Sequence, residues 1–322
     1  MSLAFEPFVD ESGRVHRFLT TAEGLGRYTI EVSLPPGPID AGGGLPVIVV
    51  LDGNLFFDTV QSVAHGRMAA AGPFLPSAVI VGVGYPPDEG MASFYARRNY
   101  DFHPPWDMTD AMGQLIVSVF GLLRAADRKP ELVLRAGGYE RFMEFLRAEL
   151  LPALAERFPI DLGKRHALVG DSSGGFFALR SLFDPSSPFR RVVAISPSFG
   201  AAAGAIEAAE AAWSAGNDDL DRDVFVCCGS EELAGDRRAV GRFGSGVAWL
   251  AETSAIRQWR SARIQWEIMN NEDHTSVGPR AVAAGLRSVF RCRPGVDEAP
   301  RQAAALMLEV LKQQGSDPTP VG

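Results

Sequence analysis

Two stretches of the chain are apolar without alternation: LPVIVVLDG at 45–53 and SAVIVGVGYP at 77–86. Both are rich in β-branched residues and end in turn formers, so each reads as a strand buried on both faces. Such strands need cover on each side, which predicts a mainly parallel sheet sandwiched between helices. The rest of the chain fits that pattern. Segments 165–170, 191–196, 223–228 and 263–269 are strand-like, and 174–183 and the Ala-rich 201–215 are helical between them. Residues 139–158 form an amphipathic helix, with Phe142, Phe145, Leu146, Leu150, Leu151 and Leu154 on one broad face. Helical spacing also marks 109–126, and 279–290 and 301–313 read as closing helices. Segments 15–21 and 27–34, joined by a Gly-containing turn, predict an antiparallel start. The polar, aromatic stretch 88–106 reads as loop-rich. Together these give a mixed, mostly parallel sheet of about eight strands in one domain over 1–322.

Charge and composition narrow the function classes. With 31 basic and 39 acidic residues the net charge is −8, which argues against nucleic-acid binding, since that needs a basic surface. No apolar run reaches the ~18–20 residues of a membrane helix, and MSLAFEPFVDES lacks the features of a signal peptide. The expectation is a cytoplasmic protein without a membrane or nucleic-acid partner. Three cysteines make no disulfide framework, and Cys227 and Cys228 lie together in a strand, where packing is their expected role. No His/Cys spacing suggests a metal site, and no cofactor is implied.

The chemistry concentrates at Gly170-Asp171-Ser172-Ser173-Gly174, which fits G-x-S-x-G. The pattern alone is weak, and an ordinary glycine-rich turn would also satisfy it. Its position is more telling: it falls where a strand meets a helix, as a nucleophile elbow requires. There Ser172 would project from the sheet's carboxyl edge, and the Ser173 amide would face an oxyanion. In a hydrolase with this elbow the acid and then the base follow the serine along the chain. His16, His65, His103 and His166 precede Ser172, which leaves His274. The acid should end an intervening strand. VFVCCGSEEL offers Glu231 and Glu232, of which Glu232 is preferred; the one not used would be a helix N-terminal carboxylate.

At this point the chain resembles the putative-esterase family of α/β-hydrolases, specifically its siderophore (enterobactin and salmochelin) esterase-like branch. The likeness runs through VIVVLDGNLFF, VIVGVGYP, FYARRNYDFHPP, GGYERFMEFLRAELLPALAERFPID, the Ser172 elbow, VVAISPSFG and EDHTSVGP. It implies an α/β-hydrolase fold, Ser172 as nucleophile and His274 as base. It also implies the Asn54 amide as a second oxyanion donor, and Arg97 and Arg98 near the substrate, although a solvated basic pair is the alternative for those two. Three departures stand out, the first being that the acid is a Glu or is absent, since some siderophore esterases work with a Ser–His pair alone. Asp171 occupies a position where the family often has His, and an acidic neighbour disfavours anionic substrates. Residues 106–137 look like an insertion that could form a lid. The expected activity is that of a serine carboxylic-ester hydrolase on a small-molecule ester, such as a siderophore lactone or similar bulky ester. An acyltransferase and a non-catalytic binding protein are the alternatives. Phe57, Tyr95 and Trp106 are candidate wall residues.

Overall fold

The computed structural model describes residues 6–7, 15–36, 43–69, 75–235 and 240–291. Its strands are β1 (Glu6–Pro7), β2 (Val15–Ala22), β3 (Gly26–Ser33), β4 (Val47–Leu51), β5 (Val79–Gly84), β6 (His166–Asp171), β7 (Phe189–Ile195), β8 (Asp223–Gly229) and β9 (Arg263–Met269). They form one nine-stranded sheet in the order β1-β2-β3-β5-β4-β6-β7-β8-β9. The two-residue β1 is the strand beyond the expected eight, too short to leave a pattern in the sequence. β2 and β3 pair antiparallel, and β3 pairs antiparallel with β5. From β5 through β9 every pairing is parallel.

The two continuous apolar runs are β4 and β5, buried at every position. Because side chains alternate across a strand, their residues divide between two cores. Val47, Val49 and Leu51 pack in one, with Val79, Val81 and Val83. Ile48, Val50 and Ile80 pack in the other. Fully burying each such side chain contributes about 1.5–3 kcal/mol, so this central pair anchors the whole sheet.

Helices α1 (Gly53–Ala69), α2 (Gly90–Phe102), α3 (Ala111–Ala126), α4 (Tyr139–Glu144), α5 (Leu151–Ala155), α6 (Ser173–Arg180), α7 (Ala205–Ser214), α8 (Phe243–Arg257) and α9 (Val277–Val289) cover the sheet. α1 and α9 close one face through Phe57, Val60, Val277, Val282 and Leu286. The other face takes Phe176 and Phe177 of α6, Val247 and Leu250 of α8, and the α4–α5 helix, which is continuous through a π-type stretch at Phe145–Leu150. The helix expected at 301–313 lies outside the described residues. Among the described residues no helix is long and apolar enough to cross a membrane.

One expectation is corrected: 88–106 is not loop-rich, since α2 occupies most of it. The helix buries Ala92, Ser93, Ala96, Asn99, Asp101 and Phe102, a face too polar to register as an apolar stripe. Within 106–137, α3 packs on α2 through Phe120, Ala92 and Ala96, and Met112 and Ile116 reach the main core. The connection is pinned where Asp127 accepts from the Ala92 amide at 2.7 Å.

Candidate active site

Parallel strands place all their carboxyl ends at one edge, where the chain must turn into the covering helices. At the end of β6 that turn is abrupt. Ser172 has φ 56° and ψ −114°, a region that costs a non-glycine residue about 1–3 kcal/mol. Three backbone bonds hold it there: the Ser172 amide donates to Ile195 O (2.9 Å), and the amides of Ser198 (3.0 Å) and Phe176 (2.9 Å) donate to Ser172 O. The turn closes only over a glycine, because a Cβ on Gly170 would lie 2.2 Å from Gly174 O.

Two further turns meet the elbow. β8 leads into a short turn carrying Glu232, and β9 leads into the loop carrying His274. Gly229 lets these two approach, since a Cβ there would sit 2.1 Å from Glu272 O, and the Glu231 amide donates to that same carbonyl. The result joins residues far apart in sequence. His274 Nε2 lies 3.1 Å from Ser172 Oγ, and His274 Nδ1 lies 2.5 Å from Glu232 Oε1. Glu231 remains exposed. Phe243 stacks on the imidazole, with ring centroids 4.5 Å apart, and limits its rotation.

Glu232 is fully buried. Burial pushes its pKa up, but hydrogen bonds from His274, Ser196 and the Gly229 amide outweigh that and hold it below the usual value. Its Oε2 accepts from Gly229 N at 2.6 Å and Ser196 Oγ at 2.7 Å. With no proton of its own to give, this carboxylate assigns the proton on the facing ring nitrogen to Nδ1. Nε2 is then free to accept from Ser172.

The two amides expected to serve an oxyanion head helices, where the first turn leaves N–H groups without intrahelical partners. Ser173 begins α6, and Asn54 lies in the first turn of α1, beside the elbow: a Cβ on Gly174 would stand 3.3 Å from Asp52 Oδ2. The Asn54 carboxamide is tied to Tyr85, accepting from its amide at 2.7 Å and donating to its carbonyl at 2.6 Å. A groove of about 440 Å³ opens beside Asn54, walled by Phe18, Leu55, Tyr85, Met91 and Phe94 together with the charged Arg17, Glu31 and Asp58.

Both arginines are engaged with other groups of the protein. Arg97 lies over the rings of Tyr28 (4.6 Å) and Tyr85 (5.0 Å) and donates to Glu89 and to the Arg27 carbonyl. Arg98 does adjoin the site, but its Nε reaches both oxygens of buried Asp52 at 2.9 Å, and its Nη2 donates to the Asp171 carbonyl at 3.1 Å. Phe57 is core, buried against the sheet rather than lining a wall. Tyr95 and Trp106 are partly buried. Cys227 and Cys228 are buried, and burial raises both thiols, Cys228 to about 12. Asp171 is lifted to about 7, chiefly by burial, against the pull of His274 and Arg98; its Oδ1 is buried without a partner. No group of His, Cys, Asp and Glu able to hold a metal occurs among the described residues.

Sequence reasoning missed Asp52, Ser196, Ser198 and Phe243. Only the first three carried a signal, in that they lie just past the ends of β4 and β7, at the edge where the elbow lies.

Fold and edge together define an α/β-hydrolase. Residues 127–281 match the family model described as "Putative esterase", and the chain's likeness to that family is carried there. A siderophore triacetylfusarinine C esterase of Aspergillus fumigatus is 33% identical over 174 residues, 53% of this chain and 51% of its own. A siderophore enterobactin esterase of Emericella nidulans is 32% identical over 179 residues, 54% of each. The chain thus spans about half the length of the curated relatives it matches. The crystal structure of BES protein from Bacillus cereus superposes with a TM-score of 0.69 at 26% identity, over 89% of this chain and all of that one.

Proposed function

We propose that this chain is a serine carboxylic-ester hydrolase working through an acyl-enzyme, with Ser172, His274 and Glu232 as its catalytic triad. One observation carries the reading: an unbroken relay of 3.1 Å and 2.5 Å from the Ser172 hydroxyl through His274 to a buried carboxylate. In it Ser172 Oγ attacks the ester carbonyl while its proton passes to His274 Nε2. Glu232 stabilises the imidazolium, which returns the proton to the leaving alcohol. The Ser173 and Asn54 amides take the negative charge of the tetrahedral intermediate. Water, activated by His274, then releases the acid.

For substrate we propose a bulky ester of the siderophore class, on the strength of the two relatives' names and of the groove beside Asn54, whose walls mix apolar side chains with Arg17, Glu31 and Asp58. In this reading 106–137 flanks the remote part of that ester; its first residue, Trp106, is partly buried and packs at a tilt on His103 with ring centroids 5.4 Å apart. A cytoplasmic location belongs to the same reading, and cell fractionation tests it.

The decisive experiment compares Ser172→Ala with the parent on a p-nitrophenyl ester and on hydroxamate and catecholate siderophore esters. The expected loss in kcat is about a thousand-fold or more, with a fluorophosphonate labelling the parent alone. Full turnover by the variant would refute the proposal.

A further inference from the structure

Ser198 follows β7 in the segment Ser196-Pro197-Ser198 and is fully buried. Its hydroxyl makes one hydrogen bond, to Ser172 Oγ at 3.3 Å, and its amide donates to the carbonyl of the same residue at 3.0 Å. A buried hydroxyl is costly unless paired, so the nucleophile is what satisfies it.

The direction of that bond follows from counting protons. Glu232 accepts from Nδ1, Nε2 therefore accepts from Ser172, and the single proton on Ser172 Oγ is committed to His274. What remains at Ser172 Oγ is accepting capacity. Ser198 must be the donor. We propose that Ser198 is a further catalytic residue, one whose O–H stabilises the negative charge that gathers on Ser172 Oγ as its proton leaves; the inference rests on the ester-hydrolase reading above.

The energetics have the form catalysis requires. In the resting enzyme the bond joins two neutral hydroxyls. As Ser172 Oγ loses its proton to His274 the same bond becomes charge-assisted and stronger, so it favours the transition state over the ground state. In the acyl-enzyme that oxygen belongs to an ester and accepts poorly. The bond then strengthens again as Ser172 departs in the second half-reaction. No atom changes hands in this step beyond the proton passed between Ser172 and His274.

The neighbouring serine provides a contrast. Ser196 sits at φ 40°, its amide fixed to Cys227 O at 2.7 Å, and its hydroxyl bonds Glu232 rather than the nucleophile. It acts through the acid, as a positioning residue. One segment thus touches both ends of the relay, and the two serines should fail differently.

The test measures kcat, KM, the pH profile and the fluorophosphonate labelling rate of Ser198→Ala, Ser196→Ala and Ser172→Ala on a p-nitrophenyl ester. Ser198→Ala should lower kcat and the labelling rate by a similar factor, about 10-fold for one charge-assisted bond, with KM within about twofold and the acid limb of the profile unmoved. Ser196→Ala should move that limb. If Ser198→Ala keeps the parent's kcat and labelling rate, the proposal falls while the esterase reading stands. Activity in Ser172→Ala would instead sink the reading itself. Should Ser198→Ala fail to fold, Ser198→Cys replaces it; its thiol is a weak donor, and parental activity there is equally fatal.

Discussion

At the scale of single residues the site turns on which nitrogen of His274 carries its proton. Glu232 Oε2 is committed to two donors, the Gly229 amide and the Ser196 hydroxyl. A Glu232→Gln side chain would keep its carbonyl oxygen there and turn its NH2 toward Nδ1. That arrangement asks Nδ1 to accept, moves the proton to Nε2 and leaves Ser172 with no base. Expected is a fall in kcat of about 10³–10⁴ with KM and thermal midpoint nearly unchanged, read by steady-state kinetics beside a melting curve. A loss smaller than tenfold would mean that Glu232 does not set the tautomer. The residues of this relay were legible because chain order and turn position single them out: one histidine follows Ser172, and two glutamates end the intervening strand. The partners of Arg97 and Arg98 were not legible, since an ion pair such as Arg98–Asp52 joins residues 46 apart through tertiary contact alone.

Elements position these side chains, and the elbow leaves no room for a side chain at 170. An Ala at 170 would place its Cβ 2.2 Å from Gly174 O and 2.4 Å from Gly174 C, both backbone atoms of α6. Neither can swing aside as a side chain does, so the first turn of the helix must retreat and take Ser172 with it. Gly170→Ala is expected to cost about 1–3 kcal/mol in urea unfolding and to depress kcat far beyond what that loss of folded protein explains. Gly121→Ala is the control: in α3 nothing lies within 4 Å of the added carbon, and a helix-interior glycine replaced by alanine gains up to about 1 kcal/mol. Equal behaviour of the two would refute the steric account. The same scale explains what the sequence concealed. β4 and β5 were legible because both faces are apolar. Helix α2 was not, because Ser93, Asn99 and Asp101 share its buried face and their hydrogen bonds take the place of an apolar stripe. Asp101, for instance, accepts from the hydroxyls of Tyr28 and Tyr85 at 2.7 and 3.0 Å.

The whole molecule carries buried titratable groups of both kinds, and their effects on stability oppose each other. Burial raises Asp101 to about 7, against its hydrogen bonds from Tyr28 and Tyr85 and the charge of Arg97, and Asp171 is raised to about 7 as well. Burial lowers His103 and His166 to about 4. Between about pH 4 and 7 the folded carboxyls hold protons that the unfolded chain has lost, so they make stability fall as pH rises. Between about pH 4 and 6.5 the unfolded chain's histidines hold protons that the folded ones lack, so they make stability rise over nearly the same window. Between about pH 4.5 and 6.5 these two kinds of group therefore pull the stability in opposite directions. Asp101→Asn exposes one of them. The amide keeps an acceptor for the two tyrosines and cannot ionise, so the variant escapes a penalty of up to about 4 kcal/mol that the wild type incurs on reaching neutral pH. Urea unfolding at pH 4.5, 6 and 8 should show Asp101→Asn gaining steadily on the wild type as pH rises. Parallel curves would mean that Asp101 is ionised in the fold and that Arg97, not burial, decides its state.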